Sequence, residues 1–246
     1  MKKIDVAYEI FLKIVDFIKS NEDNIVNESE TRFKVLDRIL IEVLGWKQED
    51  ISVEPKTSSG YIDYLLSSGG RHVFVIEAKR KDYDLFSTKI PGFCYYKVGG
   101  PALSVAKEGI EQAARYCFEN AIPYAALTNG LSWIGFRAVR TDGIVYRDGL
   151  AAAFPNFDSI KDRFAEFYDL FSYEGVRSKL YNIYLNREEG GVLTGSEELV
   201  SLVPPHPSPH FVVGMKLPNM PLLRSISVNR RIRGNSRCFG MFGINS

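Results

Sequence analysis

The sequence predicts an α/β fold, a mixed central sheet flanked by helices. Two amphipathic helical segments open the chain and three short strand-like runs follow them. A further helix then leads into another strand and its hairpin partner. Alternating elements of this kind pack as a sheet with helices against it. At 246 residues the chain can bury a sizeable core, as one generous domain or one domain plus an appendage. Its 45% hydrophobic and 25% charged content is ordinary for a globular protein.

Ile4, Ala7, Ile10, Phe11, Ile14, Val15 and Ile18 recur at helical spacing and predict a helix over 4–20. After a polar break, Asn27 or Ser29 can cap a second helix that buries Phe33, Leu36, Ile39, Leu40, Val43 and Leu44 and stops at Gly45. Strands are expected at Ile51–Thr57, Tyr61–Leu66 and His72–Lys79, the last two joined by Ser67-Ser68-Gly69-Gly70, a turn whose glycines tolerate positive φ. Breakers punctuate Pro91–Pro101, so 80–105 reads as a long loop. A helix over about 104–120, a strand at Pro123–Thr128, an Asn129-Gly130 turn and a partner strand at Leu131–Arg137 complete the sheet. A short hairpin is expected around Thr141-Asp142-Gly143. Helices return over Ser159–Asn186, with Phe164, Phe167, Leu170 and Phe171 on one face.

These boundaries give a domain over 1–186, a Pro/Gly-rich linker over 187–210 and a basic tail over 211–246. The tail holds Lys216, Arg224, Arg230, Arg231, Arg233 and Arg237 and no acid, so it carries +6 in a chain of net charge +1. An acidic body with a basic tail implies an anion-binding arm or a segment whose partner is missing. Three cysteines, odd in number and without metal-ligand spacing, predict reduced thiols in a cytoplasmic setting. Pro207 and Pro209, between His206 and His210, preclude a helix there, and with no third ligand nearby the pair is not expected to bind metal. No apolar run approaches a membrane span, and Asp5, Glu9 and Asp16 interrupt what could otherwise be a signal peptide.

The chemistry centres on Asp63, Glu77 and Lys79. Folding back at Gly69-Gly70 sets Asp63 opposite Ile76 or Glu77, so two carboxylates meet at one end of a hairpin. Alternation sends Glu77 and Lys79 to one face and Ala78 to the other. Two carboxylates and an ammonium on an apolar hairpin are costly to bury unless they bind something. A divalent metal fits, with the Ala78 carbonyl as a further ligand. Mg²⁺, or Mn²⁺, takes one or two carboxylates plus waters, and such an ion acidifies water and draws charge from a phosphate. The ordinary alternative is a surface hairpin with a Glu–Lys pair.

Taken in order, Glu28-Ser29-Glu30-Thr31-Arg32, Asp63, Glu77-Ala78-Lys79, Gln112…Tyr116 and Thr128-Asn129-Gly130 resemble the PD-(D/E)xK nuclease superfamily. The closer resemblance is to the amino-terminal nuclease domain of type I restriction enzyme R subunits. It covers about residues 27–137 and is carried by five elements in the right order. It implies a restriction-endonuclease-like fold and Mg²⁺- or Mn²⁺-dependent hydrolysis of nucleic acid, with DNA the expected substrate, in restriction or anti-phage defence. Carried over residue by residue, Asp63 and Glu77 bind the metal with the Ala78 carbonyl, and Lys79 holds water or phosphate. Gln112 and Tyr116, four apart on one helical face, hold Lys79 or a phosphate; their ordinary role would be a polar helix edge. Measured back from Thr31-Arg32, the family glutamate falls on Glu28 rather than Glu30. Either acid would also suit a helix N-terminus.

The chain departs from the family in three ways. It lacks the G-x-x-x-x-G-K-[ST] phosphate loop of a translocase, its loop at 81–108 is long, and its basic tail has no counterpart. The expectation is therefore a stand-alone nuclease or the effector domain of a larger defence protein, in which a partner ATPase, a sensor protein or self-association could take part. The rival readings are a non-catalytic nucleic-acid-binding or assembly module of the same fold, and a resolvase or repair nuclease.

Overall fold

The computed structural model describes residues 3–58 and 60–185. The linker and basic tail expected at 187–210 and 211–246, with His206, His210 and Cys238, lie outside them. Seven strands form one mixed sheet: β1 (Ile51–Val53), β2 (Tyr64–Ser68), β3 (Arg71–Ala78), β4 (Cys94–Lys97), β5 (Tyr124–Thr128), β6 (Trp133–Arg137) and β7 (Leu150–Phe154), in the order β1-β2-β3-β5-β6-β7-β4. The β3–β5 pair is parallel and all the other pairs are antiparallel.

Alternation along these strands divides the core into two layers. Tyr64, Leu66, Phe74, Ile76, Ala78, Tyr124, Ala126 and Trp133 face one layer. It is closed by α1 (Lys3–Ser20), by α2 (Glu28–Thr31) with its continuation to Val43, and by four short helices: α4 (Phe157–Asp162), α5 (Phe164–Phe171), α6 (Tyr173–Arg177) and α7 (Tyr181–Leu185). Leu65, Val75, Ala125, Leu127, Ile134 and Phe136 face the other layer, under α3 (Lys107–Asn120) and the 3₁₀ segment Pro101–Ala106 that leads into it. Each helix thus has a sheet face on which to bury its apolar stripe.

The second helix is capped as its sequence implies. Asn27 Oδ1 accepts from Glu30 N at 2.8 Å, and Glu30 Oε2 reaches back to Val26 N at 2.9 Å. Beyond Thr31 it runs through two π-helical stretches, Arg32–Leu36 and Ile39–Val43, and ends at Gly45 with φ +70°. Its wider turns alter the periodicity, and Phe33, expected in the core, is 73% exposed. Trp46, just past the cap, is buried and donates Nε1–H to Phe171 O at 2.8 Å.

Other expectations are corrected. The long loop over 80–105 contains β4, an edge strand paired with β7, because the breakers flank a four-residue strand rather than prevent it. β7 itself was not anticipated. The first strand stops at Val53, where Glu54 takes φ +52°, and only an isolated Lys56–Tyr61 bridge continues it. β2 starts at Tyr64, so Asp63 stands at its entrance. The β5–β6 turn spans four residues, since Thr128 pairs with Trp133. Among the described residues no helix is long and apolar enough to cross a membrane, and Cys94 and Cys117 are free and buried.

Candidate active site

The hairpin register brings the carboxylates together. Gly69 and Gly70, at φ +60° and +75°, make a two-residue turn between Ser68 and Arg71, a conformation that disfavours side chains with a Cβ. Tyr64 then pairs with Ile76, and Asp63, one residue earlier, meets the end of β3: its Oδ2 accepts from Ala78 N at 2.8 Å. A strand residue's N–H and C=O point to the same edge, so the Ala78 carbonyl faces the edge where Asp63 stands. On the other edge Lys79 N donates to Thr128 O at 2.8 Å. The Ala78 methyl enters the layer under α1, while Glu77 and Lys79 project together toward α3.

Glu77 is 1% exposed. Its Oε1 accepts from Lys79 Nζ at 2.6 Å, and its Oε2 is buried without a partner among the described residues. Burial, reinforced by the charges of Asp63 and Glu28 and only partly offset by Lys79, pushes the Glu77 carboxyl up to about 7. Burial also raises Asp63, against the Ala78 N–H and Arg32. Burial opposes the charge of Lys79, but its bond to Glu77 and the neighbouring acids outweigh this and raise it. A low-dielectric pocket holding excess negative charge is the environment that recruits a cation.

Glu28 and Glu30 part company here. Glu28, raised by burial and then by the charge of Asp63, also feels Lys79. Glu30 is turned away, to Val26 N and Lys34. The α3 residues close the other side. Lys79 Nζ lies 3.4 Å from Gln112 Oε1, and Gln112 Nε2 donates to the buried Tyr116 hydroxyl at 3.3 Å. The six expected side chains, Glu28, Asp63, Glu77, Lys79, Gln112 and Tyr116, therefore share one locality. The backbone of Ala78 lies within it.

Several residues that support this arrangement were not singled out from sequence. Arg32 Nη1 donates to Glu54 Oε1 at 2.8 Å and lies 3.4 Å from Asp63 Oδ1, with its guanidinium over the Tyr64 ring at 5.1 Å. A Cβ on Gly109 would meet Leu127 Cδ1 at 2.8 Å and Lys79 Cε at 3.3 Å, so its absence lets the lysine stem run beneath α3. Gly60, at φ +145°, leaves room for the Tyr116 hydroxyl. Thr31 Oγ1 accepts from Lys81 N at 3.1 Å, and Asn129 Nδ2 donates to Lys81 O and Tyr83 O, pinning the chain just beyond Lys79. The Thr-Arg and Thr-Asn-Gly elements noted in the sequence carried the signal for part of this; Gly60 and Gly109 carried none.

Among the described residues no group of three or more Asp, Glu, His or Cys side chains is placed to hold a metal ion. The groups that would hold an ion here are the Glu77 and Asp63 carboxylates with the Ala78 carbonyl. That oxygen-only, open set fits Mg²⁺ or Mn²⁺ and would satisfy the orphaned Glu77 oxygen. No protein-family model, curated protein or solved structure matches the chain.

Proposed function

We propose that this protein is a metal-dependent nuclease of the PD-(D/E)xK type with a restriction-endonuclease-like fold, hydrolysing phosphodiester bonds of DNA in restriction or anti-phage defence. The observation that carries the reading is the buried, unpartnered Glu77 Oε2 beside Asp63 and Lys79. Leaving such an atom unsatisfied costs about 1–3 kcal/mol, a cost with a ready physical reason if a ligand completes it. A non-catalytic binding or assembly module would have no use for that oxygen.

Mg²⁺ or Mn²⁺, when bound, supplies a more acidic water and an electrophile for the phosphate oxygen. The side chains supply the rest. Asp63 is held in one rotamer by Ala78 N–H and Arg32, so its free lone pairs have a fixed direction. Lys79, itself held by Glu77 and Gln112, sets its ammonium where it can hold the attacking water or neutralise developing charge on the phosphate. Gln112 and Tyr116 keep that ammonium from swinging away.

The test is incubation of the purified protein with plasmid, single-stranded DNA and RNA in Mg²⁺, Mn²⁺ or EDTA. Cleavage of DNA in either metal and none in EDTA is expected. Absence of cleavage of every substrate would overturn the proposal.

A further inference from the structure

Between β1 and β2 the chain forms a short arm, described over residues 54–58 and 60–63, whose base is Asp63. The arm is cross-linked along its length. Glu54 N donates to Asp63 O at 3.3 Å, Ile62 N to Pro55 O at 3.2 Å and Thr57 N to Gly60 O at 2.7 Å. Lys56 and Tyr61 face each other as an isolated antiparallel bridge. Gly60 packs against the Tyr116 hydroxyl, and Ile62 is fully buried in the α3 layer. The arm therefore has a fixed position next to the site.

Its outer surface is of a different kind. Tyr61 is 58% exposed, and Lys56 opposite it is exposed and has no acidic partner among the described residues. Bridge partners hold their Cβ atoms about 5 Å apart, so an exposed aromatic side chain and an exposed lysine leave the arm from neighbouring positions. Tyr61 is two residues from Asp63, at most about 7 Å along the chain.

We propose that this arm is a substrate contact in which the Tyr61 ring stacks on an unpaired nucleobase beside the scissile phosphate while Lys56 takes a neighbouring phosphate. The proposal rests on the nuclease reading and narrows its substrate to strands whose bases are unstacked at the cut, such as single strands, flaps or melted duplex. Stacking on an exposed aromatic is tolerant of sequence, and a base inside an intact duplex has no free face to offer.

The chain's two tryptophans, Trp46 and Trp133, are both buried, so Tyr61→Trp adds an exposed indole as a local reporter. In EDTA, a short single-stranded oligonucleotide should quench this fluorescence and the matching duplex should not. Tyr61→Ala should weaken single-strand binding roughly 5- to 100-fold and leave duplex binding and the melting temperature unchanged, whereas Tyr61→Phe should bind as the parent does. Lys56→Gln should reduce the salt dependence of single-strand binding. If the parent cleaves nucleic acid in Mg²⁺ but Tyr61→Trp shows no quenching and Tyr61→Ala binds normally, the arm is overturned and the nuclease reading stands. If the parent neither binds nor cleaves nucleic acid, both fall.

Discussion

Lys79 Nζ donates to Glu77 Oε1 at 2.6 Å while the other oxygen of that carboxyl is buried with nothing among the described residues to accept from. One ammonium satisfies half of a carboxylate that the fold has removed from water, and Asp63 adds a second negative charge nearby. Glu77→Gln and Asp63→Ala should each lower cleavage by roughly 10³ or more, beyond the loss of one oriented hydrogen bond. Each should also remove Mn²⁺ binding measured by calorimetry without unfolding the chain. Full cleavage in either variant would remove the metal-ligand assignment.

The same burial predicts a pH dependence in the metal-free protein. Glu77 titrates near 7 when folded, against an ordinary 4.5, so the folded state holds this proton more tightly than the unfolded chain. Stability is then greatest below the unfolded value and is lost as pH rises through about 7. Asp63 and Glu28, also raised, act in the same direction. In EDTA, urea melts at pH 5 and pH 8 should show Glu77→Gln gaining on the parent by about 2–3 kcal/mol. Parallel curves would mean that Glu77 is charged in the folded protein throughout. Cation affinity should rise with pH over the same interval, since the ion must displace the proton.

Gly109 gives a prediction in which two effects oppose. Alanine in place of glycine ordinarily favours a helix by about 0.5–1 kcal/mol. Here its Cβ would lie 2.8 Å from Leu127 Cδ1, in a fully buried residue, and 3.3 Å from Lys79 Cε. Overpacking costs about 1–3 kcal/mol, so Gly109→Ala should be destabilising on balance. It should also slow cleavage by displacing the lysine. A thermal melt beside a cleavage assay checks both, and a more stable, fully active variant would contradict the packing argument.

The hairpin was legible because its signals are local. Gly69-Gly70 specifies the turn, alternation assigns the faces, and together they place Asp63 against the end of β3. Strand alternation puts Glu77 and Lys79 on one face and helix periodicity puts Gln112 and Tyr116 on another, but only the resemblance to the nuclease superfamily implied that the two faces meet. β7 was not legible because Leu150-Ala151-Ala152-Ala153-Phe154 has weak strand propensity. Its alanines are dictated by neighbours: Phe93, Phe154 and Phe167 crowd one layer, and Ala152 leaves them room. Arg32 stands in the sequence motif, but its contact with the site was not legible for a related reason. Its partners, Glu54 and Asp63, are 22 and 31 residues away, and no local pattern encodes such a meeting.

Gln112 and Tyr116 discriminate most sharply between a catalytic face and a merely polar helix edge. Lys79 lies 3.4 Å from the Gln112 amide oxygen, and Gln112 donates to Tyr116 at 3.3 Å. Both contacts are long, as catalytic hydrogen bonds often are before substrate tightens them. If the pair positions Lys79, its polar atoms matter and its packing does not. Tyr116→Phe keeps the buried ring and removes only the hydroxyl, so the melting temperature should barely move. Loss of one oriented hydrogen bond in a water-poor site removes about 2–4 kcal/mol of transition-state stabilisation, roughly 10²–10³ in rate. Gln112→Ala should behave similarly. The double variant should lose less than the sum of the two, because Tyr116 reaches Lys79 only through Gln112 and the two act as a unit. Single-turnover cleavage at saturating Mg²⁺, measured beside thermal melts, reads both quantities. Near-parent rates in both single variants would make this face a structural edge and leave Glu77 alone to hold Lys79.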